Sequence, residues 1–275
     1  MYFIFYILEE EELMQFRHND FRIFSSVKRD NLIIEIMQAG GLPENYNAEL
    51  AKAINHHEHD RFNWQQVRIL IEDTSVILEA GALQYMFGNI EIENKTGGVG
   101  GFAKKFVSSA VTGETASKPV YRGSGEIYLE PKRGEFTFIE LAAGEEIIVD
   151  DGLFYCAENT VKVGVAKQGN VSSAVFGGEG LFQTKITASA NSYVVLDLPV
   201  PEYELVRYEL KGETLKVDGT FAVLRSSTVE FSVEKSTKSL MGSASSGEGM
   251  LQTFRGHGEV WLAPTLPIRK QPFQI

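Results

Sequence analysis

The sequence predicts a mainly β protein built from three internal repeats, and three observations carry that expectation. The first is a recurring turn. Gly178-Glu179-Gly180-Leu181-Phe182-Gln183-Thr184 returns 69 positions later as Gly247-Glu248-Gly249-Met250-Leu251-Gln252-Thr253, and a shortened copy, Gly113-Glu114-Thr115, lies 65 positions earlier. The second is a set of alternating stretches, Ile90-Glu91-Ile92, Val161-Lys162-Val163 and Val229-Glu230-Phe231, spaced 71 and 68 positions apart. A charge between two apolar residues gives a period of two, which puts one strand face in the core and the other in water. The third is a strand-closing proline, at Pro131, Pro199 and Pro264. Self-similarity at a fixed period marks a repeat architecture. Short strands at regular spacing with glycine turns favour a sandwich or a β-helix-like stack. A pseudo-threefold arrangement around one shared core is the economical way to join three such units.

Taken in order, residues 1–8 are apolar and aromatic, and Glu9 to Glu12 are four acids. Eight residues are too few to span a bilayer, which needs roughly 20. Neither a basic n-region nor a small-residue cleavage site marks a signal peptide. Met14 is an alternative start, which leaves residues 1–13 open as part of the native protein. The apolar runs Phe21 to Phe24 and Leu32 to Ile36 suit strands or a docked extension. After the break Gly40-Gly41-Leu42-Pro43, one helix is expected over residues 44–59. Pro43 and Glu44 suit its first turn, and Tyr46, Leu50 and Ile54 share one face.

From Phe62 onward the texture is β. Val67 to Ile71 and Val76 to Leu83 read as strands, and Gly81, Gly152 and Gly219 stand at strand ends just behind acidic residues. Gly123-Ser124-Gly125-Glu126-Ile127-Tyr128-Leu129 precedes Pro131, and Gly256-His257-Gly258-Glu259-Val260-Trp261-Leu262 precedes Pro264. The middle copy, Tyr193 to Leu198, lacks both glycines and is offset by about one residue, so a bulge is expected there. The expected organisation is an N-terminal extension at 1–60 and a β domain at 61–268. Its repeats lie at about 64–131, 132–199 and 200–264, and 269–275 is a tail.

Composition narrows the partners. The chain of 275 residues carries a net charge of −11, a sign that repels phosphate backbones and disfavours nucleic acid. Its one cysteine, Cys156, sits in an apolar run, which marks it as a core residue. A lone thiol makes no intrachain disulfide, so a reducing, cytoplasmic setting is expected.

At these residues the sequence resembles the AIM24 family, formerly a domain of unknown function. The matching text is Glu79-Ala80-Gly81-Ala82-Leu83-Gln84-Tyr85-Met86, then Gly97-Gly98, Gly101-Phe102 and Lys104-Lys105. It continues through Gly113-Glu114, Gly123 to Pro131, Gly178 to Thr184 and Gly256 to Pro264, so it runs from about Phe62 to Pro267. One departure is Thr115-Ala116-Ser117-Lys118, which stands where Phe-Gln would follow the Gly-Glu turn. The resemblance implies a fold like that of the tryptophan RNA-binding attenuation protein (TRAP-like), a stacked β-sandwich or double-stranded β-helix. It does not imply that protein's ligands, because fold and function separate easily. Fungal members of the family are mitochondrial and linked to inner-membrane organisation, and bacterial members supply no activity to carry over.

Two residue groups are candidate sites. Gly113, Glu114, Gly178, Glu179, Gly247 and Glu248 occupy equivalent turns. Three carboxylates on a pseudo-threefold axis suit a cation such as Ca²⁺, while the plainer role is to bond local backbone N–H groups. His56, His59 and Asp60, with His57 and Glu58 between them, are the densest set of potential ligands and fall on one helix face. The zinc-protease pattern His-Glu-x-x-His is absent from the chain, and cationic histidines at a helix C-terminus are the plainer reading. Gly97 to Lys105 does not fit a phosphate loop, and no Gly-x-Ser-x-Gly nucleophile elbow occurs. The sequence therefore predicts a non-catalytic scaffold or binding protein, homo-oligomeric, with no metal, cofactor or membrane span and an unnamed protein partner. A small-molecule-binding β module and a metal-dependent enzyme using the repeated Glu or the His cluster are the alternatives.

Overall fold

The computed structural model describes residues 21–39, 64–93, 118–133, 135–166, 183–218, 221–235 and 250–265. Among these the chain forms sixteen strands and one 3₁₀ turn, Glu202–Glu204. The first twelve strands are β1 (Phe21–Arg29), β2 (Leu32–Ala39), β3 (Trp64–Leu78), β4 (Leu83–Glu93), β5 (Val120–Leu129), β6 (Lys132–Arg133), β7 (Glu135–Leu141), β8 (Glu146–Asp150), β9 (Phe154–Glu158), β10 (Val161–Val165), β11 (Gln183–Ala188) and β12 (Ser192–Leu198). The last four are β13 (Val206–Asp218), β14 (Ala222–Ser226), β15 (Val229–Lys235) and β16 (Met250–Leu262). The prediction of a mainly β protein holds. The helix expected over residues 44–59 lies outside the described residues. No helix among the described residues is long and apolar enough to cross a membrane.

The three alternating stretches fall on β4, β10 and β15, and each pairs antiparallel with the strand that follows it. Ile90, Glu91 and Ile92 face Gly123, Arg122 and Tyr121; Val161, Lys162 and Val163 face Ala188, Thr187 and Ile186; Val229, Glu230 and Phe231 face Gly256, Arg255 and Phe254. Their burial is not equivalent. Val163 is buried and Phe231 is half-buried on the ring of Phe254, but Ile92 is 42% exposed. The expectation that all three occupy equivalent inward positions fails at Ile92. The alternation fixes which residues share a face, and a face is buried only where another element covers it.

The corner of each hairpin is built in two ways. β3, β5, β13 and β16 run through it as single long strands, whereas in the middle of the chain β7 and β8, β9 and β10, and β11 and β12 are separated by turns. Glycine allows this in β5, β13 and β16, whereas β3 passes the corner without one, at Glu72-Asp73, where Asp73 has φ +48°. At Gly125 φ is +153°, and an added Cβ would lie 2.1 Å from the carbonyl oxygen of Phe87 on the paired strand β4. A residue without a side chain lets the paired backbones of β4 and β5 approach this closely. The middle copy has Ser189, Ala190 and Asn191 at this place and breaks its strand instead. The expected bulge is present, as a register shift between Val195 and Leu196 in the pairing of β12 with β9. It is not peculiar to that copy. The pairing of β4 with β5 shifts between Leu83 and Tyr85, and that of β14 with β16 shifts between Ala222 and Leu224.

The strands make a 9-stranded and a 7-stranded sheet among the described residues. Each sheet contains one junction between successive stretches of chain. Val76, Ile77 and Leu78 of β3 pair with Glu158, Ala157 and Cys156 of β9, and Ile147, Ile148 and Val149 of β8 pair with Ser226, Arg225 and Leu224 of β14. The buried apolar side chains fall into three groups rather than the one shared core expected. One is centred on Phe154, Val194 and Leu196, one on Ile69, Ile127 and Tyr155, and the smallest on Phe254, Val229 and Val260.

The segment Phe21–Ala39 is part of the sheet. β2 pairs with β3 from Leu32↔Ile71 to Gln38↔Gln65, and Leu32, Ile34 and Ile36 join the second core group. Arg29 holds this hairpin to the middle of the chain. Its Nε lies 3.2 Å from Glu158 Oε1, and its guanidinium sits 5.1 Å above the Tyr193 ring.

Cys156 is buried, as the sequence led one to expect, and burial pushes its thiol well above the usual cysteine range. A thiol reacts as its thiolate and needs access. Ellman's reagent is therefore expected to leave native protein unlabelled at pH 8 and to label one thiol per chain in guanidinium chloride. Stoichiometric labelling of native protein would contradict the assignment.

Candidate functional site

None of the sequence-predicted site residues falls in the described part of the chain. Gly113, Glu114, Gly178, Glu179, Gly247 and Glu248 lie outside it, and so do His56, His59 and Asp60. The residues that follow two of the turns are described. Gln183 and Thr184 open β11, Gln252 and Thr253 lie near the start of β16, and all four are buried.

Beside them lies Arg225, an unexpected buried cation at the junction of β8 and β14. Its Nη1 donates to the carbonyl oxygen of Val229 at 2.6 Å, its Nη2 reaches Gln183 Oε1 at 3.5 Å, and its guanidinium stands 5.6 Å from the Phe231 ring centroid. Its Nε has no hydrogen-bond partner. A carbonyl, an amide and an aromatic face do not neutralise it, and burial pulls its pKa down to about 10. The group is still protonated at neutral pH. It clamps β14 to β11 and β15, at the desolvation cost that an uncompensated buried charge carries.

The other feature is a pair of strand edges. Among the described residues the only strand partner of β4 is β5, and that of β13 is β16. Both strands expose apolar side chains. On β4, Met86 is 38% and Phe87 51% exposed; on β13, Val206 and Tyr208 are exposed; Tyr203, in the turn just before β13, is 84% exposed. Edge strands offer a row of backbone donors and acceptors that other strands can join, and proteins usually blunt them. Here the turn Glu79–Ala82 positions β4. Glu79 takes the amide of Ala80 at 3.0 Å and the ammonium of Lys118 at 2.6 Å, and Ala82 N–H donates to the Glu79 carbonyl at 3.1 Å. Tyr85 stacks on Tyr128 with centroids 4.5 Å apart, which holds β4 to β5. On β13, the Arg207 guanidinium lies 3.9 Å over the Trp261 ring and pairs with Glu202.

The outer face of β13 also carries an ion cluster. Glu234 on β15 is 2.7 Å from Arg255 Nη1 and 3.3 Å from Lys216 Nζ. The hydrogen bond from Arg255 is the main cause that pulls the Glu234 carboxyl down to about 2. A depressed carboxylate contributes stability that is present above its unfolded pKa and lost as pH falls through its folded value. Glu234→Gln is accordingly expected to cost a little stability at pH 6 and none below pH 2. Urea midpoints across that range check the sign, and a difference that grows toward acid would refute it.

Sequence reasoning missed both edges, although a signal existed. Val206, Tyr208 and Leu210 alternate up to Gly212, and Leu215 and Val217 resume the alternation beyond it. That pattern marks a long strand crossing a corner. It does not say which edge lacks a neighbour.

Comparison with known proteins adds the following. Residues 58–265 match the family described as "Mitochondrial biogenesis AIM24". A relative, the uncharacterized protein M6_Spy0233 of Streptococcus pyogenes serotype M6, is 26% identical over 195 residues, which are 68% of this chain and 76% of the relative. The crystal structure of protein SPYM3_0169 from Streptococcus pyogenes resembles this one with a TM-score of 0.54 and 25% identity, covering 72% of this chain and 88% of that one.

Proposed function

The chain belongs to the AIM24 family, and we propose that it acts as a non-catalytic scaffold, a β protein that assembles with copies of itself and offers strand edges to protein partners. One observation carries this proposal: β4 and β13 each have a single strand neighbour among the described residues while exposing large apolar side chains. Exposed apolar surface of this kind marks interaction sites. The equivalent pairings of β4 with β5, β10 with β11 and β15 with β16 support three repeated units with TRAP-like order. The buried polar groups around the junctions serve packing, which supports a structural rather than a catalytic role. Glu158, for example, accepts the Tyr193 N–H at 2.9 Å, and Gln65 accepts the Phe136 N–H at 2.7 Å. A single, buried thiol suits a reducing compartment, the cytoplasm.

Light scattering behind size exclusion tests the proposal. A mass several times the 30.6 kDa of one chain is expected at micromolar concentration. A single-chain mass at every concentration and salt level would remove self-assembly.

The small-molecule alternative has one observation in its favour, the buried and uncompensated Arg225 between two successive stretches of chain. Calorimetric titration with phosphate, using Arg225→Met as control, decides it. Absence of heat with the unaltered protein discards that reading.

A further inference from the structure

We propose that β13 of one copy pairs antiparallel with β4 of the next, with Leu215 opposite Phe87 and Lys216 opposite Met86, so that the protein assembles head to tail. This rests on the scaffold reading and specifies its interface. The argument comes from the two junctions already inside the chain. At each, the later half of the first long strand of one stretch pairs with the first half of the second strand of the next: β3 with β9, and β8 with β14. The same step repeated once more calls for the later half of β13 against the first half of β4. Within the chain that pair is not made, since β13 belongs to the 7-stranded sheet and β4 to the 9-stranded one.

The register follows from the same series. Aligned on the pairs Val161↔Ala188 and Val229↔Gly256, Lys185 corresponds to Thr253, one residue off the match of the two Gln-Thr pairs, so Lys216 faces Thr253 as Ile148 faces Lys185, and Met86 faces Ile127 as Arg225 faces Val260. Ile148 pairs with Arg225 at the second junction, so Lys216 pairs with Met86 at the third. Burial shows what the third pair lacks. All six paired residues of the first junction are buried, and at the second only Ser226 is not. Of their six counterparts, Tyr85, Met86, Phe87 and Lys216 are exposed, Leu215 is half-buried and Val217 is buried in its own core group. A second copy supplies the missing strand with the matching register, by the edge addition through which extended segments commonly dock. Because β13 and β4 are different surfaces, the contact is heterologous. It closes into a ring or runs on as a filament according to the rotation per step.

The test is a disulfide across the predicted pair. Met86→Cys and Lys216→Cys, each on its own chain, are co-expressed and gently oxidised. Directly opposed residues of antiparallel strands lie within disulfide reach, and native Cys156 is buried and does not compete. The expected product is a mixed dimer on a non-reducing gel, with much less dimer from either variant alone. Absence of the mixed dimer overturns the proposal, including the case in which a chain carrying both substitutions closes on itself as a cross-linked monomer. Phe87→Lys is the second arm. Its mass is expected to drop to that of one chain with an unchanged circular dichroism spectrum, and a mass equal to that of the unaltered protein also overturns the interface. The two readings separate cleanly. An oligomer that forms no mixed dimer keeps the scaffold and loses this contact, while a monomeric unaltered protein loses both.

Discussion

Gly125→Ala is expected to lower stability by about 3–5 kcal/mol, the sum of a strained backbone and a forced separation of two strands. The residue has φ +153°, and the new Cβ would meet the Phe87 carbonyl oxygen at 2.1 Å with the Gly88 Cα at 3.0 Å. The oxygen is backbone, bonded into the ladder between β4 and β5, so it has no rotamer to yield. The comparison that isolates this effect is Gly144→Ala. Gly144 has φ +83° but nothing within 4 Å of the added carbon. It pays only for the left-handed conformation, on the order of 1 kcal/mol. Urea midpoints of the two variants, with their slopes, measure the difference. Equal losses would mean that the strands at the corner separate at little cost and that glycine is there for its dihedral alone.

Phe254→Ala is expected to cost about 3–5 kcal/mol by the usual scale for emptying a buried aromatic site. Its consequence should be local. Phe254 is 1% exposed and anchors the smallest core group, with the Phe231 ring 5.3 Å away. Among the described residues that group has six buried members, against nineteen around Phe154. Units with few buried apolar contacts open below the global unfolding free energy. Hydrogen exchange in the variant should accelerate in β13 to β16 and leave β7 to β12 protected. Phe154→Ala, by contrast, should loosen both regions, because its core group also contains Val223, Leu224 and Trp261. Uniform acceleration along the whole chain in Phe254→Ala would show that the third core group does not stand apart.

The hairpin Phe21–Ala39 illustrates how far local sequence reaches. Its apolar runs were legible as strands or a docked extension, and both descriptions apply, since β2 lies on β3 and buries Ile34 and Ile36. The ion pair of Arg29 with Glu158 was not legible, because it joins residues far apart in the chain. The named candidate residues, the Gly-Glu turns and the His56, His59 and Asp60 cluster, lie outside the described residues. Of that motif, Gln183 and Thr184 in β11 and Met250 to Thr253 in β16 are described, and both Gln-Thr pairs are buried.

The sequence by itself determined the strands, their faces and their ends. Alternation with period two is a property of neighbouring residues, so Val161-Lys162-Val163 declares its faces without help. Pro131, Pro199 and Pro264 stop strands because they carry no N–H to continue a ladder, and β5, β12 and β16 end one or two residues before them. Glycine at the corners of β5, β13 and β16 lets those strands bend without a break, again locally. Only the tertiary structure decided which faces and edges are covered. Ile92 alternates as well as Val163 does, yet it is exposed, and β4 and β13 are ordinary strands until one asks what lies beside them. Coverage depends on a strand contributed from about one repeat further along the chain. A local pattern holds no term for that, because the free energy of burying a face belongs to the pair of surfaces and not to either segment.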